Sequence, residues 1–201
     1  MRWTALLPLL LLESPAAAQD IELPPGGELE VRVEGDLNGD GTDDFAYVAH
    51  NEDSRALTVL LSVEHEFDVE FAPEVLVLEL TEFTPASLSI DRGVLEFEDL
   101  TGGTTATAAT RRFSYDAAGK RMRLIGMDAT LYSRTNAHDG FEASWNLLNG
   151  DAVTRELKLA EGAGEDAYQD GPSRRFKRRT GPVWLADSPD AETMLVDLRR
   201  D

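Results

Sequence analysis

The sequence has no cysteine, which excludes disulfides and thiol catalysis together. Histidine is nearly as scarce: His50, His65 and His138 form no spaced pair of the kind that a catalytic zinc centre draws on. His65-Glu66-Phe67-Asp68 contains ligand-type residues, but a strand there would turn only the two acids to one face. Nucleophile and phosphate-loop signatures are also missing, since no Gly-x-Ser-x-Gly occurs and Gly102-Gly103 has no lysine or helix start beside it. Positive charge is in deficit, with 19 basic residues against 38 acidic ones and a net charge of -19. That balance argues against nucleic acid and anionic membranes as partners.

Long apolar runs are absent too. The longest candidate, Trp3 to Leu12, is about half of the roughly 20 residues needed to cross a bilayer. With Arg2 before it and Ala16-Ala17-Ala18 after it, residues 1–18 read as a cleavable signal peptide. The expectation is a periplasmic or secreted protein with no transmembrane segment after cleavage. Residues 19–201 fall within the usual size of one domain and are long enough to build a core without cross-links.

What the chain does contain is alternation. Leu29, Val31 and Val33 alternate with Glu30, Arg32 and Glu34, the period-two pattern of a strand with one wet face. Phe45 to Val48, Ala56 to Val63, Val75 to Leu80, Arg111 to Tyr115 and Met122 to Met127 read as further strands. Glu64 to Pro73 reads as strand or loop. Asp91-Arg92-Gly93 and Asn149-Gly150 are turn signals between alternating runs. Residues 160–180 are acidic and glycine-rich, then basic, and read as a mobile loop. Gly181 to Leu185 offers a return to the sheet. Ser188-Pro189-Asp190 has the composition of a helix start, with the helix running to about Leu198. The class expected is all-β, a mainly antiparallel sandwich or curled half-barrel, with a short C-terminal helix.

The most specific stretch is Gly35-Asp36-Leu37-Asn38-Gly39-Asp40-Gly41-Thr42-Asp43-Asp44. Calcium takes six to eight hard oxygen ligands, so a short loop that binds it must curl and present oxygens from alternate residues. Asp36, Asn38 and Asp40 fall at positions 1, 3 and 5, the Thr42 carbonyl at 7 and Asp44 at 9, with Gly41 at the turn. An EF-hand is excluded, because position 12 is Tyr47 and both flanks read as strands. The run resembles the calcium loop of integrin-type FG-GAP and VCBS repeats, in a single copy covering about residues 31 to 49. That resemblance implies Ca2+ ligand roles for Asp36, Asn38, Asp40, Asp44 and the Thr42 carbonyl. The Phe-Gly and Gly-Ala-Pro signatures of the repeat are absent, and a single copy makes no propeller.

The functional expectation is therefore an exported calcium-binding β-domain with a structural metal site. It is read as a non-enzymatic binding or envelope-associated module for a protein or glycan partner. A carbohydrate-binding protein would need Trp145, Trp184 or Tyr132 lining an exposed groove. A metal-dependent hydrolase would need a deep pocket with convergent carboxylates. The basic run Arg174-Arg175-Phe176-Lys177-Arg178-Arg179 reads as a solvated loop or an intramolecular partner to acidic segments.

Overall fold

A computed structural model describes residues 23–64, 69–80, 85–160 and 168–201. The expected signal peptide and the His65-Glu66-Phe67-Asp68 run lie outside them. Among the described residues, eleven strands form two antiparallel sheets. The first holds β1 (Glu28–Gly35), β2 (Asp44–His50), β3 (Arg55–Glu64) and β4 (Val69–Leu78) in chain order. The second runs β5 (Ser87–Asp91), β6 (Val94–Gly102), β7 (Thr105–Asp116), β8 (Arg121–Ser133), β9 (Gly140–Asn146), β10 (Asp151–Leu159) and β11 (Tyr168–Lys177). Each sheet is a meander in which sequence neighbours are spatial neighbours, and neither closes into a barrel. The all-β reading with a short C-terminal helix is what the structure shows.

Alternation sets the layers. On β7 the side chains of Thr107, Ala109, Arg111 and Phe113 are buried, while Ala108, Thr110, Arg112 and Ser114 between them are less so. Leu57 and Val59 of the first sheet join Leu95, Phe97 and Phe113 of the second in one apolar cluster, all of them without exposed surface. Burying a side chain of this size is worth about 1.5–3 kcal/mol. Helix α1 (Ala191–Arg200) covers another part of the second sheet, adding Met194, Leu195 and Leu198 to the same core. The prolines inside strands, Pro73 of β4 and Pro172 of β11, both lie on edge strands, where a missing N–H leaves no gap in a ladder.

Three boundaries depart from the sequence reading. Part of the expected mobile loop at 160–180 is strand: β11 pairs along β10 from Asp151↔Lys177 to Leu159↔Tyr168, because a neighbouring strand offers hydrogen bonds that composition cannot anticipate. β4 is one strand from Val69 to Leu78 and spans what reads as two segments. The helix begins after Asp190 rather than Ser188. Asp190 is extended at ψ 159° and its carboxylate accepts from the Thr193 N–H, so it is the residue that caps. The return of 181–185 does occur: Trp184 bridges to Arg123, and the Leu124 N–H donates to the Val183 carbonyl.

A buried charge network ties the sheets together. The Arg55 guanidinium has no exposed surface; it donates to Glu30 at 2.7 and 2.9 Å and to Asp99 of β6 at 3.0 Å. Desolvation pushes the Glu30 carboxyl upward, but hydrogen bonds from Arg55 and the Ala86 N–H outweigh it and hold it below its ordinary value.

Candidate functional site

The loop resembling a calcium site joins β1 to β2 and is closed at its root by the Gly35↔Asp44 pair. Its acids act first on the loop's own backbone. Asp36 accepts from the Gly39 N–H at 2.6 Å and the Gly41 N–H at 3.0 Å. Asn38 Oδ1 accepts from the Asp40 N–H at 2.9 Å, and Asp40 Oδ1 from the Thr42 N–H at 2.8 Å. This ladder of side-chain turns explains why short Asp and Asn residues recur at every second position. Gly39 and Gly41 adopt φ of +80° and +88°, and a Cβ at either would meet nothing within 4 Å. Backbone conformation, rather than space, is what requires glycine there.

Asp36, Asn38 and Thr42 are half-buried and Asp40 is exposed at the tip of the loop. Asp44 is placed differently. It has no exposed surface; Oδ2 accepts from the N–H groups of Leu37 at 2.7 Å and Asn38 at 3.1 Å, and Oδ1 from the N–H of Ser62 at 2.7 Å and its hydroxyl at 2.9 Å. A carboxylate offers about four acceptor positions. Three are filled by backbone N–H groups and the fourth is the Ser62 hydroxyl's when it turns to Asp44, so a cation approaching Asp44 would meet a carboxylate already engaged. The structure thus gives Asp44 the work of pinning the loop to β3, while the side-chain oxygens of Asp36, Asn38 and Asp40 accept from amides within the loop itself.

Ser62 is the member of this site that spacing does not reveal. Besides bonding Asp44, its hydroxyl lies 3.1 Å from Asp40 Oδ2, and its carbonyl accepts from Asn38 Nδ2 at 3.0 Å. One hydroxyl proton serves one carboxylate at a time, so Ser62 links the anchor to the loop tip. Desolvation raises the Asp40 carboxyl, while hydrogen bonds from the Thr42 N–H, Asn38 and Ser62 lower it further than that, keeping it below its ordinary value. Among the described residues no group of three or more histidines and acids stands close enough to hold a metal unaided. Any ion at the loop would therefore depend on Asn38, backbone carbonyls and water beside its two carboxylates.

The other candidates resolve into structure. Trp145 is 7% exposed and its Nε1 donates to the Arg178 carbonyl at 2.9 Å, a core position. Trp184 lies under the Arg121 guanidinium, 5.1 Å from the ring centroid. Tyr132 borders a cavity of about 430 Å3 without either tryptophan. Within the basic run, Arg178 pairs with Asp197 at 3.1 Å and Asp201 at 2.9 Å on and just after α1, and Lys177 with Asp151 at 2.7 Å. Comparisons with protein-family models, with curated proteins and with solved structures find no match to this chain.

Proposed function

We propose that the chain is an exported, non-enzymatic β-domain that takes a calcium ion at the β1–β2 loop and serves as a binding module at or beyond the cell envelope. The supporting observation is the loop tip: Asp36, Asn38 and Asp40 present side-chain oxygens around two left-handed glycines, on a loop fastened to β3 through Asp44 and Ser62. The net charge of -19 raises the local concentration of cations around such a tip. The ion's work is structural in this reading. It neutralises Asp36 and Asp40, whose like charges repel, and stabilises the native state because it binds that state alone. Export follows from the signal reading of residues 1–18.

Calorimetric titration of calcium into the purified chain and into Asp40→Ala tests the proposal. Binding in the micromolar to millimolar range, lost in the variant, is expected on the order of affinity such loops show outside the cytoplasm. Melting curves that superimpose in calcium and in chelator overturn it.

A further inference from the structure

A cleft of about 570 Å3 runs between β4, the inner face of β6 and β7, and the segment leading into α1. Its three sides have different characters. The floor is built from alternate residues of β7, Ala109 and Arg111 among them, and so is the face of a sheet. One wall is the consecutive run 75–79. Consecutive strand residues point to opposite faces, so a strand that lines a cavity with all of them presents its edge, with the backbone N–H and C=O groups. β4 pairs with β3 alone among the described residues, so no described strand takes its other edge, although the turn at Leu185–Asp187 packs against part of β4. Pro73 interrupts the donors upstream, yet from Val75 onward no proline guards the strand. Val75 and Val77 are 43% and 78% exposed along it. The opposite wall is Ser188, Asp190 and Ala191 at the N-terminus of α1.

The floor contains an arginine whose hydrogen bonds are incomplete, set over the Phe97 ring at 5.7 Å. Arg111 is 5% exposed, and its Nη2 donates to the Pro189 carbonyl at 3.1 Å. Its Nε is buried with no hydrogen-bond partner, and Ser188 Oγ on the facing wall is likewise buried and unpaired. Asp99 and Asp190 attract its charge from a distance, but the hydrogen bonds of the acids nearby go elsewhere. Asp99 binds Arg55, Asp190 caps α1 through the Thr193 N–H, and Glu192 accepts from the Thr107 hydroxyl at 3.5 Å. A guanidinium held this way, beside the positive end of a helix dipole, is complementary to a planar carboxylate.

We propose that this cleft binds an extended peptide, whose backbone adds to the free edge of β4 along residues 75–79 and whose carboxylate binds Arg111 at the first turn of α1. Edge addition supplies sequence-independent main-chain hydrogen bonds, and the carboxylate fixes where the peptide stops or registers. The carboxylate belongs to the peptide's C-terminus or to an Asp or Glu side chain. The proposal names the partner class of the binding-module reading and rests on it, but not on the calcium loop. A failed calcium titration leaves the peptide measurement intact, and the reverse holds too.

The test is fluorescence anisotropy of the full chain with labelled hexapeptides of alternating threonine and valine: one with a free C-terminal carboxylate, one amidated, and one amidated with a central aspartate. A carboxylate-bearing peptide should bind about tenfold tighter than the plain amide, the gain of one charge-assisted hydrogen bond, and the arm that gains identifies the source. Hydrogen exchange at 75–79 should slow in its presence, and Arg111→Met should erase the preference. Equal binding by all three peptides, no binding, or protection that avoids β4 overturns the proposal. Should Arg111→Met fail to fold, the ratio and the exchange footprint on the unmodified chain decide it.

Discussion

Two regions of the interior hold charge in contrasting ways. At the root of the β1–β2 loop, Asp44 is sealed from solvent and held by three backbone N–H groups and the shared Ser62 hydroxyl. In the cleft beside α1, Arg111 is nearly as buried but its Nε has no partner. A buried polar group without a partner costs about 1–3 kcal/mol, so the two arrangements do not serve the same end. The engaged one gives the loop a fixed base. The incomplete one leaves free energy to be gained by whatever supplies the missing acceptor. Arg55 extends the first type to a full ion-pair network with Glu30 and Asp99.

If that contrast is right, truncations should rank by how many partners each leaves behind. Arg55→Met strands two carboxylates, one of them on the far sheet, and should cost about 4 kcal/mol in urea unfolding. A loss under about 1 kcal/mol would mean that Glu30 and Asp99 reach solvent or protonate with little penalty. Asp44→Ala orphans the amides of Leu37, Asn38 and Ser62 and should cost about 2–3 kcal/mol. In the same variant, hydrogen exchange at residues 36–43 should accelerate more than at the strands. Arg111→Met removes a charge that is only half satisfied and fills its space with a flexible apolar chain. Its cost should fall below about 1 kcal/mol, and a gain would agree with buried charges that hydrophobic groups replace without loss. An Arg111→Met penalty equal to that of Arg55→Met would erase the distinction on which the peptide proposal depends.

The sequence made some of these features easy to read and others not. The loop was legible because its logic is local: each Asp or Asn serves an amide two to five residues ahead, so spacing alone reports it. Asp44 was legible as a member of the motif but not in its orientation, because Ser62, its partner, stands 18 residues away on another strand. β11 reads as loop from its residues alone for a related reason. Its residues carry no clean alternation, and only pairing with β10 makes them a strand. Arg111 gave no signal whatever, being one arginine beside another in a strand whose alternation decides that Arg111 turns inward and Arg112 outward to Glu96 and Asp128.

By itself the sequence determined the all-β class, the loop with its glycines and alternate acids, and a C-terminal helix. These depend on periodicity and on hydrogen bonds between near neighbours, which are written into the order of residues. Tertiary structure alone decided that Asp44 pins the loop to β3, that Arg55 joins the sheets, and that β4, β7 and α1 enclose a guanidinium whose Nε has no hydrogen-bond partner. Each of those depends on which distant strands come together, and the order of residues along one strand does not encode the partner it will meet.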